Sequence, residues 1–134
     1  MPENDDVPDV RRARVITAST RAAAGIWEDR SGPTIVTGLA ALGLAVDGPV
    51  VVADGKPVED ALRAAIAEGF DLVVTTGGTG LTPSDLTPEV TLLVIDRLVP
   101  GIAEAIRNHG VSQGIPTAVL SRGIAGLAGR TLII

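Results

Sequence analysis

A glycine-rich segment at residues 77–80 is the part of the sequence whose residue types point most directly to chemistry. It reads Gly-Gly-Thr-Gly and follows an apolar run that ends in Thr75 and Thr76. Consecutive glycines allow a positive φ and close approach of the backbone to a ligand. Their amide groups, with threonine hydroxyls beside them, can form a concave anion-binding site. The segment matches neither the dinucleotide-binding pattern nor the P-loop, because no Lys-Ser or Lys-Thr pair follows it. The alternative is an ordinary glycine turn between a strand and a helix.

Two aspartates stand where carboxylates would meet a bound anion. Asp85 precedes a predicted helix after the glycine-rich segment, and Asp54 follows the second predicted strand. Each also has an ordinary interpretation, Asp85 as a cap or a solvated loop charge and Asp54 as part of an Asp-Gly turn. Carboxylates beside an anion repel it, and Mg²⁺ resolves that conflict because it binds one or two carboxylates together with substrate phosphates. We therefore predict that Asp54 and Asp85 hold Mg²⁺ and act in catalysis.

Other polar side chains are weaker candidates. Arg122 follows a predicted strand and has the planar fork that binds phosphate through two parallel hydrogen bonds, the alternative being an exposed turn arginine. His109 is the only histidine and lies late on a predicted helix, which favours a surface role or an interaction with the helix dipole over catalysis. A Ser-His-Asp triad is rejected because the sequence has no nucleophile-elbow motif.

Composition excludes several classes of function. The 134 residues suffice for one domain with its own core, and 46% hydrophobic with 20% charged residues argues against disorder. A net charge of −5 and 1% aromatic residues argue against a nucleic-acid partner, which needs clustered cations and stacking surfaces. The absence of cysteine excludes disulfides and thiolate metal sites. No apolar run reaches the roughly 18–20 residues of a membrane span.

The first nine residues differ in character from the rest. Residues 1–9 are acidic, and we predict a disordered tail there, followed by a single domain at 10–134. The tail lacks the basic and apolar regions of a signal peptide. We expect a cytoplasmic protein.

The domain alternates apolar strands with helices. We predict strands at residues 13–19, 46–53, 71–76, 117–120 and 131–134, and helices at about 31–42, 57–68, 87–98 and 102–111. Ser31 is predicted to cap the first helix, whose apolar face includes Leu42. Strands without a polar face, joined by short connections, predict a three-layer α/β/α fold with a mostly parallel central sheet. Ligands bind beyond the carboxyl ends of such strands, where Ser19, Asp54 and the glycine-rich segment all lie.

Several segments in the same order resemble a known family. The run from Thr75 to Gly80, then Asp85, then Thr87-Pro88-Glu89, is similar to the signature of the molybdenum cofactor biosynthesis domain, the Mog/MoaB-like family that includes plant Cnx and animal gephyrin domains. Three further segments match the family pattern, at residues 28–33, 100–104 and 120–134. The resemblance covers about residues 12–134 and implies the fold predicted above.

The resemblance implies an activity. Enzymes of this family are molybdopterin adenylyltransferases, which use ATP and Mg²⁺ to adenylylate the terminal phosphate of molybdopterin and release pyrophosphate. It implies an essential role for Asp85, a second carboxylate at Asp54, and ligand contacts around the glycine-rich segment. Together with the residue types, it predicts these substrate-binding residues: Thr76, Gly77, Gly78, Thr79, Gly80, Ser121, Arg122, Ser31 and Gly32.

The resemblance also implies partners and leaves alternatives. Proteins of the family are usually trimers, and other molybdenum cofactor enzymes are possible partners. The alternatives are a MoaB-type paralogue that binds pterin or nucleotide with little catalysis, and a non-enzymatic oligomeric scaffold; the two carboxylates favour the enzyme. The sequence departs from the family at Ser19-Thr20, where Ser-Asp is common, and we expect it to lack the loop and helix that follow the last strand in the family.

Overall fold

The computed structural model describes residues 10–134, so the predicted acidic tail lies outside the described residues. The elements, in chain order, are β1 (Arg12–Ala18), α1 (Thr20–Ala23), α2 (Ser31–Ala41), β2 (Ala45–Val52), α3 (Lys56–Ala67), β3 (Leu72–Thr76), α4 (Thr87–Leu92), β4 (Arg97–Leu98), α5 (Pro100–Ser112), a 3₁₀ helix (Pro116–Leu120), β5 (Gly126–Ala128) and β6 (Thr131–Ile133). Within residues 10–134, no helix has the length and apolar character needed to cross a membrane.

The strands form one six-stranded sheet in the order β2-β1-β3-β6-β5-β4. The pairs β1–β2, β1–β3 and β3–β6 are parallel, whereas β5 pairs antiparallel with both β6 and β4. Ala18 at the end of β1 lies beside Val52 of β2, and Thr17 lies beside Thr76 of β3. Three parallel strands therefore end at the same level, and the loops that follow them begin side by side. The prediction of a mostly parallel α/β sheet is confirmed.

The core lies between β1, β3 and helix α3. Ile16 and Ala18 of β1 are buried, and they pack with buried residues of α3, of β3 and of the loop between them, namely Val58, Leu62, Ala65, Phe70 and Val73. The residues are aliphatic except for Phe70, as expected from a composition with 1% aromatic residues. On α3, Arg63 forms an ion pair with Glu59 at 2.9 Å.

Helix α2 contacts the sheet at β1 and β2. The N-terminus of α2 lies close to β1, as Gly32 shows: a Cβ at this position would be only 2.6 Å from Oγ1 of Thr17. The N-terminus of the helix is capped by Asp29, whose Oδ1 accepts a hydrogen bond of 3.0 Å from the amide of Gly32. The prediction that Ser31 caps this helix is therefore wrong: Ser31 is already the first helical residue, and an aspartate two positions earlier supplies the acceptor.

Three other local predictions are wrong for identifiable reasons. Residues 117–120 form a 3₁₀ helix instead of a strand, since their β-branched composition is outweighed by a turn that begins at Pro116. Helix α4 ends at Leu92 instead of near 98, because the following backbone pairs with β5: the amide of Asp96 donates to the carbonyl of Leu127 at 2.7 Å. Leu42, predicted on a buried face, lies just past the end of α2 and is 79% exposed.

Two surface carboxylates make the stability of this fold depend on pH. Asp71 accepts hydrogen bonds from the backbone amide of Arg12 at 2.8 Å and from Arg130 at 3.2 Å, and these contacts lower its pKa. The hydrogen bond from Arg14 to Asp47, 2.7 Å long, lowers the pKa of Asp47 in the same way. A carboxyl whose pKa is lower in the folded state stabilises the protein above its unfolded pKa, and this stabilisation is lost as the pH falls.

We therefore expect the free energy of unfolding to decrease as the pH falls through and below 3.8, the ordinary pKa of these carboxyls. Urea unfolding at pH 7 and at about pH 3 measures the decrease. In Asp71→Asn the loss of stability between pH 7 and about pH 3 should be smaller, because the amide does not titrate. Glu104→Gln, at an exposed position on α5, is the control and should leave this loss unchanged. An unchanged pH dependence in Asp71→Asn would contradict the assignment.

Candidate functional site

The loops that follow β1, β2 and β3 enclose a cleft of about 810 Å³ at the carboxyl edge of the sheet. The cleft is lined by four carboxylates, three serines and two glycines of the glycine-rich segment: Glu28, Asp29, Asp54, Asp85, Ser19, Ser31, Ser84, Gly77 and Gly78. Both aspartates predicted from the sequence therefore line one cavity. This position, beyond the carboxyl ends of parallel strands, is where open α/β sheets bind ligands.

Asp54 carries an unsatisfied oxygen in this cleft. Its Oδ2 accepts hydrogen bonds from the hydroxyl of Thr20 at 2.9 Å and from the amide of Thr20 at 3.2 Å. Its Oδ1 is buried and has no hydrogen-bond partner among residues 10–134. A buried acceptor without a partner costs free energy, and a bound cation would satisfy it. Thr20, on which no role was predicted, thus orients one of the two predicted metal ligands.

Asp85 is held by the turn in which it lies. Its Oδ2 accepts hydrogen bonds from the hydroxyl of Thr82 at 2.7 Å and from the amide of Thr82 at 3.0 Å. Its own amide donates to the carbonyl of Thr82 at 3.0 Å, which closes the turn. Both interpretations of Asp85 are therefore compatible: one oxygen caps a turn, and the other, Oδ1, is left for a ligand. A Cβ at position 80 would lie 2.7 Å from Oδ2 of Asp85. Because Gly80 has no side chain, the carboxylate can lie close to the backbone there.

The glycine-rich segment turns its amide groups away from α4. Gly77 and Gly78 have φ of +88° and +68°, the left-handed region that favours glycine. The carbonyl of Gly77 accepts from the hydroxyl of Thr87 at 2.8 Å, and the carbonyl of Gly78 accepts from the amide of Thr87 at 3.0 Å. Because C=O and N–H point in opposite directions across a trans peptide, the amides of Gly78 and Thr79 point away from Thr87. Among residues 10–134 no hydrogen bond engages these two amides, so they are available to a ligand, and the anion binding expected from the sequence stays a prediction.

A second cavity of about 240 Å³ adjoins the first, and Gly77 lines both. It contains four of the residues predicted from the sequence and one cation that was not predicted: Thr76, Gly77, Thr79, Ser121 and Arg107. The hydroxyl of Thr76 donates to Oγ of Ser31 at 3.0 Å, which joins the glycine-rich segment to the N-terminus of α2. The predicted residues therefore divide between two neighbouring cavities, except for Gly32, Gly80 and Arg122, which line neither.

Arg122 lies beside this site and holds the loop that carries Asp85. Its guanidinium donates to the carbonyl of Gly80 at 2.8 Å, to the carbonyl of Asp85 at 2.7 Å, and to both oxygens of Glu89 at 2.9 Å. Arg122 does not appear among the residues that line either cavity. The geometry favours a positioning role for Arg122 over the predicted contact with phosphate.

We expect Arg122→Gln to weaken this loop. The substitution removes the hydrogen bonds to two carbonyls and the ion pair with Glu89, so the amides of residues 80–86 should exchange with solvent faster. Hydrogen–deuterium exchange followed by mass spectrometry measures this effect. Arg130→Gln, at a side chain that is 81% exposed, is the matched control. Unchanged exchange in residues 80–86 would contradict the positioning role.

Besides Thr20, the site residues that were not predicted include Asp29, Trp27 and Arg107. Asp29 accepts hydrogen bonds from Thr17 at 2.8 Å and from Gly32, and Trp27 lines the larger cleft. Arg107 of α5 donates to the carbonyl of Gly123 at 2.8 Å and lines the smaller cavity. Residues 28–33 match the family pattern, which would have signalled Asp29, whereas Arg107 belongs to no segment with a recognisable motif.

The donor set fits Mg²⁺ bound jointly by protein and substrate. Among residues 10–134, no group of three or more His, Cys, Asp or Glu side chains forms a metal site by itself. Asp54 and Asp85 are two oxygen ligands in one cleft, and Oδ1 of Asp54 lacks a partner. Mg²⁺ characteristically takes one or two carboxylates and completes its coordination with phosphate and water.

The fold and the site together define a class of protein. It is an α/β protein with a mostly parallel sheet whose carboxyl edge carries a cleft lined by Gly77, Gly78 and several carboxylates. A family model described as a probable molybdopterin binding domain matches residues 14–134. The chain belongs to this family, and the resemblance found in the sequence is confirmed.

Relatives of the chain have names from the same pathway. A molybdopterin adenylyltransferase of Helicobacter pylori is 39% identical over 127 residues, which are 90% of this chain and 70% of that protein. A molybdenum cofactor biosynthesis bifunctional protein of Synechococcus elongatus is 44% identical over 106 residues, and the chain spans only 33% of its length. The structure of the Mog protein from Mycobacterium ulcerans matches with a TM-score of 0.86 and 48% identity, covering 93% of this chain and 82% of that one. These matches support the assignment to molybdenum cofactor biosynthesis.

Proposed function

We propose that the chain transfers the adenylyl group of ATP to the terminal phosphate of molybdopterin. The observation that carries the proposal is the unpaired, buried Oδ1 of Asp54 in a cleft that also holds Asp85 and the amides of the glycine-rich segment. This combination suits a phosphate bound together with a divalent cation. The names of the relatives add the identity of the two substrates.

The residues would act by binding and alignment. An oxygen of the molybdopterin phosphate forms a bond to the α-phosphorus of ATP, while the bond from that phosphorus to the bridging oxygen breaks and pyrophosphate leaves. The substrate phosphate is the nucleophile, so the protein need not supply one, and rate enhancement comes from positioning and charge stabilisation. Mg²⁺ would neutralise the phosphate charge. Asp54 and Asp85 would hold it, and the amides of Gly78 and Thr79 would bind phosphate oxygens.

Two cavities that share Gly77 support a reaction between two ligands. One substrate in each cavity would bring the two reacting phosphates together at the glycine-rich segment. Ser31 and Ser121 would shape these cavities, since Ser31 lines the larger one and Ser121 the smaller one. Gly32 and Gly80 would act through two carboxylates, because the amide of Gly32 donates to Asp29 at 3.0 Å and Gly80 lies beside Asp85.

A direct assay tests this function. The protein is incubated with molybdopterin, ATP and Mg²⁺, and the products are separated by chromatography. Adenylylated molybdopterin and pyrophosphate in equal amounts are the expected result. Binding of either substrate without product would contradict the enzyme and favour the MoaB-type alternative, and absence of both binding and product would favour a scaffold.

We also propose that the protein is a cytoplasmic homotrimer. Support comes from exposed apolar side chains on α5, on the 3₁₀ helix and on the connection between them, at Ile106, Val111, Ile115, Val119 and Leu120. Apolar groups gathered on one surface favour burial against another protein chain. Sedimentation velocity should give three times the mass of the chain, 13.6 kDa. A monomer or dimer would contradict the proposal. Other molybdenum cofactor enzymes would contact the surfaces that the trimer leaves exposed.

A further inference from the structure

Trp27 is the one tryptophan of the sequence, and it stands on the wall of the larger cleft. The residue is 59% exposed, although an indole has a large apolar surface that proteins usually bury. The same cleft contains Asp54, Asp85 and the glycine-rich segment. The sequence, with so few aromatic residues, indicates that any nucleotide is bound mainly through its phosphates. The structure instead places its largest aromatic side chain in the candidate ligand site.

The indole is held in place before any ligand binds. The guanidinium of Arg21 lies 4.4 Å from the ring centroid and covers one face, in a cation–π contact. The amide of Trp27 donates to the carbonyl of Arg21 at 3.3 Å, and the amide of Ile26 donates to the same carbonyl at 2.9 Å. Two residues further on, Asp29 is anchored by Thr17 and Gly32. Both ends of the short segment that carries the indole are therefore fixed, and the residue keeps more than half of its surface exposed although Arg21 lies over one face of the ring.

Charge explains why an aromatic surface is useful here. Four carboxylates line this cleft, at Glu28, Asp29, Asp54 and Asp85, against two arginines. Bare phosphate would be repelled by this set unless a cation intervened. Stacking on an aromatic face is attractive whatever the charge of the phosphate, and it depends only on the planar ring of the ligand. The exposed surface of the indole thus offers binding energy that the carboxylates do not oppose.

We propose that Trp27 stacks against the fused bicyclic ring of a phosphorylated ligand whose phosphate lies at the glycine-rich segment. The inference rests on the proposed function for the identity of that ligand, which is the purine of ATP or the pterin of molybdopterin. Trp27 is a positioning residue: it binds the ring and thereby orients the phosphate, and it takes no part in bond making. A volume of about 810 Å³ is within the range of sites that hold drug-sized ligands.

The fluorescence of the protein tests the contact directly. Because the sequence has one tryptophan and no tyrosine, the intrinsic emission reports on Trp27 alone. In the presence of Mg²⁺, ATP and molybdopterin are titrated separately, and inorganic tripolyphosphate serves as the ring-free control. At least one ring-bearing ligand should quench the emission, whereas tripolyphosphate should not. The ligand that quenches identifies which ring stacks, and absence of quenching by both would overturn the proposal.

Two variants separate stacking from a structural role. Trp27→Ala should weaken binding of the quenching ligand, and raise its KM, by about tenfold to a hundredfold, with tripolyphosphate affinity and thermal unfolding unchanged. Trp27→Phe keeps an aromatic face and should restore most of the affinity. Leu42→Ala, at another exposed apolar residue, is the control. If Trp27→Ala binds the ligand as tightly as the unchanged protein and adenylyl transfer is still observed, the stacking role is overturned and the proposed function stands. If the ligand quenches the emission but no adenylyl transfer is observed, the proposed function alone is overturned.

Discussion

Replacing Asp85 with asparagine is expected to reduce adenylyl transfer by about a hundredfold or more, with little change in stability. Asparagine keeps an oxygen that can accept the hydrogen bonds from Thr82, so the turn at residues 82–85 should survive. What the substitution removes is the negative charge. A neutral amide is a much poorer ligand for Mg²⁺ than a carboxylate, and the phosphates would lose the cation that neutralises them.

A matched variant separates charge from hydrogen bonding. Asp96 is also an exposed loop aspartate that accepts a backbone hydrogen bond, from the amide of Gly129 at 2.7 Å, but it does not line either cavity. Asp96→Asn should leave turnover unchanged. The measurements are the rate of product formation at saturating ATP, its dependence on Mg²⁺ concentration, and thermal unfolding of both variants. Near-normal turnover in Asp85→Asn at low Mg²⁺ would contradict the metal assignment.

Gly77→Ala should have the largest effect on the structure of the site. Residue 77 has a φ of +88°, which costs an alanine about 1–2 kcal/mol. A Cβ there would also lie well inside 3.0 Å of the backbone carbonyl of Ala18, which cannot move without distorting β1. We expect the free energy of unfolding to fall by about 3–5 kcal/mol, because strain and collision add. The displaced segment should also lose its affinity for phosphate.

Gly43 provides the control for this substitution. Its φ of +90° is nearly the same, but a Cβ on Gly43 would meet nothing within 4 Å. Gly43→Ala therefore carries the backbone strain without the collision and should cost only about 1–2 kcal/mol. Urea unfolding of the two variants measures the difference. Equal losses would show that the approach of Gly77 to β1 is unimportant.

Periodicity and residue type predicted the elements that are long and buried. The sheet, α3 and α5 follow from apolar runs and helical spacing, and the ends of β1, β2 and β3 follow from the polar residues after them. The failures are elements with weak local preferences. Strand β5 contains Gly126 and Ala128, which have low strand propensity, and it exists because it pairs with β4 and β6.

The site was predictable where its residues share a motif and not where distant segments meet. The glycine-rich segment and the two aspartates carry recognisable patterns, and the structure brings Asp54 and Asp85 into one cleft. The hydrogen bond from Thr20 to Asp54 spans 34 positions, and no periodicity encodes it. The separation of predicted residues into two cavities likewise depends on how α5 and the 3₁₀ helix lie beside β3, which is a tertiary property.

Helix α1 has four residues, none of them buried, and such a helix does not form by itself in water. Side-chain hydrogen bonds support it at its N-terminus. The amide of Ala22 donates to the hydroxyl of Ser19 at 3.1 Å, and the amide and the hydroxyl of Thr20 both donate to Asp54. Its amides should therefore open and exchange far more often than those of the sheet. A cation bound at Asp54 would fix the partner of Thr20, so filling the site would slow the exchange of α1. Helix α1, to which the Trp27 segment is anchored through the carbonyl of Arg21, would thus be more stable in the ligand-bound protein than in the free one.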